Sequence, residues 1–296
     1  MMQGTFFALG IVIATLAGHG SLFLAGHGTV AYLLNATSGL VTSQQDLGEK
    51  VVCAVPMTQG FVVATTANGI THLVYFFYNG TYVPITNIVM GNESEPSLVG
   101  TAEDCAPYEG YLALTLTNGT HIKLYIMKVT PAEADVEKEV LAEEPYLAGG
   151  KVLVNYGKEG LYLYEGGKFV ELAEGNVKAA STSANFVFYV MDNTLYMVQV
   201  KAPYARAMLW RPQGNITITS VVALSDNKVV VGLNNTSLGV EMLVVKGGKG
   251  YPKVSVGVPN VYMLAKSDEY VGAATYGNGG LSAGVALVPM DWFETK

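Results

Sequence analysis

The sequence predicts an α+β protein. A long apolar N-terminal α-helix occupies residues 1–50, and an all-β head occupies residues 51–296. The head is β-propeller-like, with an immunoglobulin-like β-sandwich as the alternative. Three observations lead there. Residues 1–45 contain no Asp, Glu, Lys or Arg, and the first charge is Asp46. Beyond Val51, short runs rich in β-branched and aromatic residues alternate with Asn-Gly and Asp-Asn turns. Those runs group into units that recur about every 40 residues, the period of propeller blades.

The N-terminal element reads GTFFALGIVIATLAGHGSLFLAGHGTVAYLL. A secretory signal peptide has a basic start and a short apolar run, and this stretch has neither. A single membrane span needs about 20 apolar residues, whereas a 45-residue helix would run to roughly 67 Å. Gly4, Ala8, Gly10, Ala14, Gly18, Ser21 and Ala25 fall in overlapping spacings of four. Small residues so spaced let helix backbones approach closely, so the expectation is a helix packed on copies of itself. His19 and His27, in two AGHG repeats, lie about 80° apart around a helix. They are therefore read as bonded to neighbouring backbone carbonyls, or as marking a stretch where the paired glycines loosen the helix, and not as a metal pair.

In the head, units begin near residues 61, 111, 151, 186, 221 and 261. Asn68-Gly69, Asn79-Gly80 and Asn118-Gly119 are hairpin turns of the type that matches strand twist. No tryptophan-aspartate or kelch signature accompanies the spacing. The acidic run Pro131–Pro145 lacks the Asp/Asn/Gly alternation of a calcium loop and reads as a solvated connection or edge strand.

Charged residues are 14% of the chain and the net charge is −7, which argues against a nucleic-acid surface. The four histidines lack metal-ligand spacing. No nucleophile elbow, P-loop or dinucleotide fingerprint is present. The sequence therefore points away from an enzyme, with no catalytic residue, cofactor or metal expected. The 18 tyrosines could serve a carbohydrate or cell-surface target, though in a strand-rich head tyrosines more often serve cross-strand packing.

Sequons stand at Asn35, Asn79, Asn92, Asn118, Asn215, Asn234 and Asn235. Their excess over chance predicts an extracellular protein glycosylated at Asn79, Asn92, Asn118, Asn215, Asn234 and Asn235. Asn35 is set aside because a buried helix would leave a glycan no room. Two cysteines, Cys53 and Cys105, form one disulfide in an oxidising compartment or two inert thiols in a reducing one. A bridge would contribute about 4 kcal/mol in the chain-entropy model.

This layout resembles archaeal type IV pilins and archaeal flagellin-like (archaellin-like) subunits. The resemblance rests on MMQGTFFALGIVIATLAGHGSLFLAGHGTVAYLL followed by the first charges at Asp46, Glu49 and Lys50. Thr5 stands where bacterial pilins carry glutamate. The resemblance implies the structural subunit of an extracellular, cell-surface helical filament. Its partner would be the protein itself in a homopolymer, after transient membrane insertion, and the large head favours adhesion. The rival reading is a membrane-anchored cell-surface or S-layer glycoprotein with a ligand-binding propeller.

Overall fold

A computed structural model describes residues 4–294. They form seven sheets, antiparallel except for one parallel pairing in the third, set as blades around one axis. Blade 1 comprises β2 (Thr15–His19), β3 (Leu22–His27), β4 (Val30–Asn35) and β5 (Leu40–Asp46), running from axis to rim, with β1 (Thr5–Phe7) preceding it. Blade 2 comprises β6 (Lys50–Pro56), β7 (Gly60–Ala67) and β8 (Ile70–Phe77), with β9 (Tyr82–Ile85) and β12 (Leu98–Val99) sharing its rim position. The hairpin β10 (Ile88–Met90) and β11 (Glu93–Glu95) interrupts that rim strand and joins the next blade.

Blade 3 comprises β13 (Thr101–Tyr108), β14 (Tyr111–Asn118), β15 (His121–Val129) and β16 (Ala134–Leu141). Its edge β16 pairs in parallel with β10, Ile88 opposite Ala134. Blade 4 holds β17 (Tyr146–Gly149), β18 (Leu153–Tyr156), β19 (Gly160–Glu165) and β20 (Lys168–Glu174). Blade 5 holds β21 (Val177–Thr182), β22 (Phe186–Met191), β23 (Thr194–Gln199) and β24 (Arg206–Trp210). Blade 6 holds β25 (Ile218–Ser225), β26 (Lys228–Leu233), β27 (Val240–Lys246) and β28 (Lys249–Val256). Blade 7 holds β29 (Val261–Lys266), β30 (Tyr270–Thr275) and β31 (Gly284–Pro289). A short helix, α1 (Asp291–Glu294), follows.

The ring closes twice. The innermost strands touch in the cycle β2, β6, β13, β17, β21, β25, β29 and back to β2. At the rim, β1 pairs antiparallel with β31, Phe6 opposite Ala286 and Phe7 opposite Val285. The N-terminal strand thus completes the C-terminal blade. Cys53 on β6 and Cys105 on β13 are joined by a disulfide, with Cα atoms 5.8 Å apart. The bridge ties the innermost strands of blades 2 and 3.

The expected helix over residues 1–50 is corrected: among the described residues this segment is β1 and blade 1. The propeller part of the expectation agrees with the structure, and the α+β class does not. The physical reason lies in burial. A blade between two blades is covered on both faces, so its inner strands read as continuous apolar runs without alternation. Phe23, Leu24, Ala25, Leu33 and Leu34 are all fully buried between blades.

The seven residues assigned to helix packing have other places. Gly4 precedes β1, while Ala8, Gly10 and Ala14 lie in the exposed connection to β2. Ala25 is buried in β3. Gly18 lies so close to the Phe23 ring that a Cβ would collide with it. Ser21 belongs to the two-residue loop Gly20-Ser21 between β2 and β3. Gly20 has φ of +56° and Ser21 does not share that region, the pattern of a type II′ hairpin with glycine first. The second AGHG repeats the device, with Gly28-Thr29 joining β3 to β4.

Candidate functional site

Each blade is a four-strand meander entered from the same face. The connections between second and third strands and those between blades therefore gather on that face, here called the loop face. Loops on a rigid scaffold are where binding residues concentrate.

The loop face over blades 6 and 7 and the passage into blade 1 is uncharged, bounded at blade 5 by Asp192 in the β22–β23 turn and by the exposed Arg211, whose Nε donates to Thr194 Oγ1 (2.8 Å). Residues 8–14, 212–217, 234–239, 257–260 and 276–283, from blades 5, 6 and 7 and the passage into blade 1, contain no Asp, Glu, Lys, Arg or His. Hydrogen bonds stitch these loops together. Gly10 N–H donates to Ala283 O (2.9 Å), Tyr276 N–H to Asn260 O (3.1 Å) and Asn260 N–H to Asn235 O (2.7 Å). Asn260 Nδ2 donates to Gly277 O (2.8 Å), and Asn193 Nδ2 to Ile216 O (2.8 Å). Tyr262 anchors the passage into blade 1: its hydroxyl accepts from Ile13 N–H (2.8 Å) and donates to Ile13 O (3.1 Å). Burial pushes that hydroxyl up to about 12. Tyr276 stacks on Tyr262 at 4.2 Å between ring centroids. Tyr276 is nonetheless 58% exposed, with Leu238 at 46% and Val12 at 45%. Large apolar side chains thus stand in water on loops that are held still.

The other part is acidic, with Glu49, Glu143, Glu144, Glu159 and Glu174 near or on the loops of blades 1 to 4. Glu49 is paired with His72 Nδ1 (2.8 Å) and accepts from Thr65 Oγ1 (3.0 Å). The Glu144 carboxylate is buried and accepts from Glu159 N–H (2.8 Å). Burial raises its pKa.

Between the two parts the axis opens into a channel of about 370 Å³ lined by all seven blades. Its wall is mixed: Ala14, Ala54, Ala179 and Met263 alternate with polar Thr15, Glu103, Asp104, Tyr156 and Ser220. A one-residue bulge at Glu103 interrupts the β13–β14 ladder, and bulges re-aim side chains. The Asp104 carboxylate then accepts from Cys105 N–H and from Leu147 N–H of blade 4, both at 2.9 Å. Part of the residue faces the channel, but protein surrounds it on every other side. That desolvation raises its pKa to about 7, against the lowering effect of the two N–H donors.

A folded-state pKa above the unfolded one means that the folded state binds more protons between the two values. Stability from this group therefore falls as pH rises from about 4 to about 7 and is flat outside that window. Denaturation midpoints at pH 5 and pH 8 should differ less in Asp104→Asn than in the wild type. An unchanged pH slope in that variant would contradict the assignment.

Asn118, Asn215, Asn234 and Asn235 lie on the loop face, Asn35 and Asn79 on the opposite face, and Asn92 at the tip of the β10–β11 hairpin. Asn79, Asn92, Asn118, Asn215 and Asn234 are exposed, while Asn35 and Asn235 are half-buried. Asn35 closes β4 at the surface, not in a buried helix, so the reason for setting it aside no longer holds. Among the described residues no group of three or more His, Cys, Asp or Glu is placed to hold a metal ion. His27 Nδ1 lies 2.8 Å from Val12 O, and His19 stacks on Tyr78 at 4.3 Å.

Sequence reasoning missed the loop face and Asp104. The absence of charge in residues 8–14 is visible in the sequence, but there it reads as part of the apolar helix. Nothing in the order of residues marks Asp104 as facing the axis.

No protein-family model matches the chain, and no curated protein matches it. Solved structures do. A chain of the crystal structure of the mitotic checkpoint complex is 13% identical, with 97% of this chain and 93% of that chain covered and a TM-score of 0.68. BamB from Moraxella catarrhalis is 12% identical, with 93% and 84% covered and a TM-score of 0.54. At these identities the likeness concerns the fold alone.

These findings overturn the resemblance to archaeal pilins and flagellins. The chain is similar to propellers and not to filament subunits. The segment meant to form a filament core is folded into the ring, so the homopolymeric filament and its membrane insertion lose their structural basis. Among the described residues no helix is long and apolar enough to cross a membrane. The disulfide indicates an oxidising, non-cytoplasmic location.

Proposed function

We propose that this propeller is a binding scaffold outside the cytoplasm that engages a partner protein through the uncharged part of its loop face and works without catalysis. One observation carries the proposal: Val12, Leu238 and Tyr276 stand exposed on hydrogen-bonded, uncharged loops. Exposed apolar side chains on a pre-ordered surface favour association, because little conformational freedom is lost on binding. Tyrosine is also enriched among the residues that dominate interface energies. The checkpoint-complex likeness supports the reading by example, since that neighbour functions in an assembly.

The proposal also places the protein at the cell surface, with glycans on the exposed sequons. Intact mass against sequence mass reads their occupancy, and a mass equal to the bare chain would remove that part. For the binding face, wild-type protein and a Leu238→Asp/Tyr276→Asp variant are immobilised and exposed to extract of the source cell envelope. The expected result is a discrete partner retained by the wild type and lost from the variant, with the fold unchanged by circular dichroism. Equal retention by both would sink the assignment.

A further inference from the structure

The rims of the blades differ in one respect that the loop face does not explain. A rim strand exposes unpaired N–H and C=O groups, and natural sheets guard such edges with charge, proline or short length. Five of the seven rims are guarded within the strand or by short length: Pro84 lies in β9, Glu93 and Glu95 in β11, Lys168 and Glu171 in β20, and Lys249, Pro252 and Lys253 in β28, while β1 has only three residues. Two carry a single charge at one end, β24 at Arg206 and β5 at Asp46, and the uncharged run of β5, LVTSQQ, is six residues long against four in β24. Residues 40–45 hold neither charge nor proline. Leu40 is 63% exposed and Val41 41%.

A bulge can also guard an edge, and β5 has one at Thr42. The rim strands of blades 4, 5 and 6, and β16 of blade 3, carry the same one-residue irregularity in addition to their charges or proline. The bulge is thus a general feature of these blades and not a substitute for the missing guard.

The molecule already adds strands at its rims in two places. β10 joins β16 in parallel, and β1 joins β31 antiparallel. The β5 edge is also held rigid: Ser43 Oγ and Gln45 Nε2 both donate to Gly80 O of blade 2, at 2.7 and 3.0 Å. We propose that the outer edge of β5 receives an extended, uncharged segment of a partner protein as a fifth strand of blade 1. Its unpaired backbone groups require an extended backbone opposite them. Its side chains favour neutral, β-branched or apolar neighbours, because residues 40–45 offer no counter-charge. The inference is independent of the loop-face reading.

The test uses the full chain and a synthetic peptide of three Thr-Val repeats between terminal lysines, read by amide hydrogen exchange. With peptide at ten times its Kd, amides of residues 40–46 should exchange about tenfold more slowly. Those of β20, β24 and β28 should not change. Leu40→Lys and Val41→Lys, both at exposed positions, should each abolish the protection while leaving exchange elsewhere as in the wild type. No protection at millimolar peptide, or equal protection at every rim, would overturn the proposal. Protection that grows with protein concentration without peptide, together with a dimer in sedimentation, would also overturn it in favour of self-pairing.

Discussion

Replacing Cys53 and Cys105 together by serine is expected to lower the unfolding free energy by about 4 kcal/mol, read from chemical denaturation without reductant. The cysteines are 52 residues apart, and the chain-entropy model gives about that value for a closed loop of this length. The position adds weight. Both cysteines lie on innermost strands, where blades 2 and 3 meet and where the disulfide is flanked by Val52, Ala54 and Asp104 at the channel wall. Adding reductant to the wild type should give the same loss. A midpoint unchanged by either treatment would mean that packing alone holds these two blades together.

The second large effect concerns closure. Phe7 is 4% exposed and packs with Ile13, Leu16, Phe23, Ala274, Val285 and Leu287. Truncating a buried phenylalanine to alanine costs about 3–5 kcal/mol, so Phe7→Ala should approach the disulfide in effect. Deleting β1 altogether should be worse, because it also leaves the β31 edge unpaired and open to aggregation. The paired control is Ala14→Leu. A bundle of N-terminal helices makes Ala14 a close-contact position where leucine would be severe. In the propeller Ala14 is exposed at the channel mouth, and leucine there should change stability by less than about 0.5 kcal/mol. Thermal or denaturant midpoints of the two variants separate the two architectures. A severe Ala14→Leu beside a mild Phe7→Ala would contradict the ring.

The contrast between those two residues also measures what the chain discloses before it is folded. The hairpin turns at Asn68-Gly69 and Asp192-Asn193, together with the repeat near 40 residues, lead correctly to a propeller, although at Asn118-Gly119 the turn falls one residue later, on Gly119-Thr120. They do so because a two-residue turn imposes a local geometry that is visible in two letters. Blade 1 is different. Its turns, Gly20-Ser21 and Gly28-Thr29, are equally specific hairpin signals. They are overshadowed because the strands beside them show no alternation. That loss of alternation is itself a consequence of burial on both faces, and periodicity alone cannot distinguish it from a buried helix.

Closure by β1 joins residues near the two ends of the chain, and nothing local encodes such a pairing. The loop face is illegible for a similar reason. It is assembled from five separated segments, and its character is a shared absence of charge that acquires meaning once the loops are neighbours. Asp104 depends on a bulge that shifts register by one residue, which no pattern in TAEDCAPY reveals.

Binding through the uncharged part of the loop face is tested most directly by placing a photo-crosslinking amino acid singly at Val12, Leu238 and Tyr276, and at Gly166 and Lys246 on the opposite face, in the protein within its own cells. The prediction is a common crosslinked product from the three loop-face positions and none from the two controls. Crosslinks from the controls alone, or no product from any of the three loop-face positions, would contradict it.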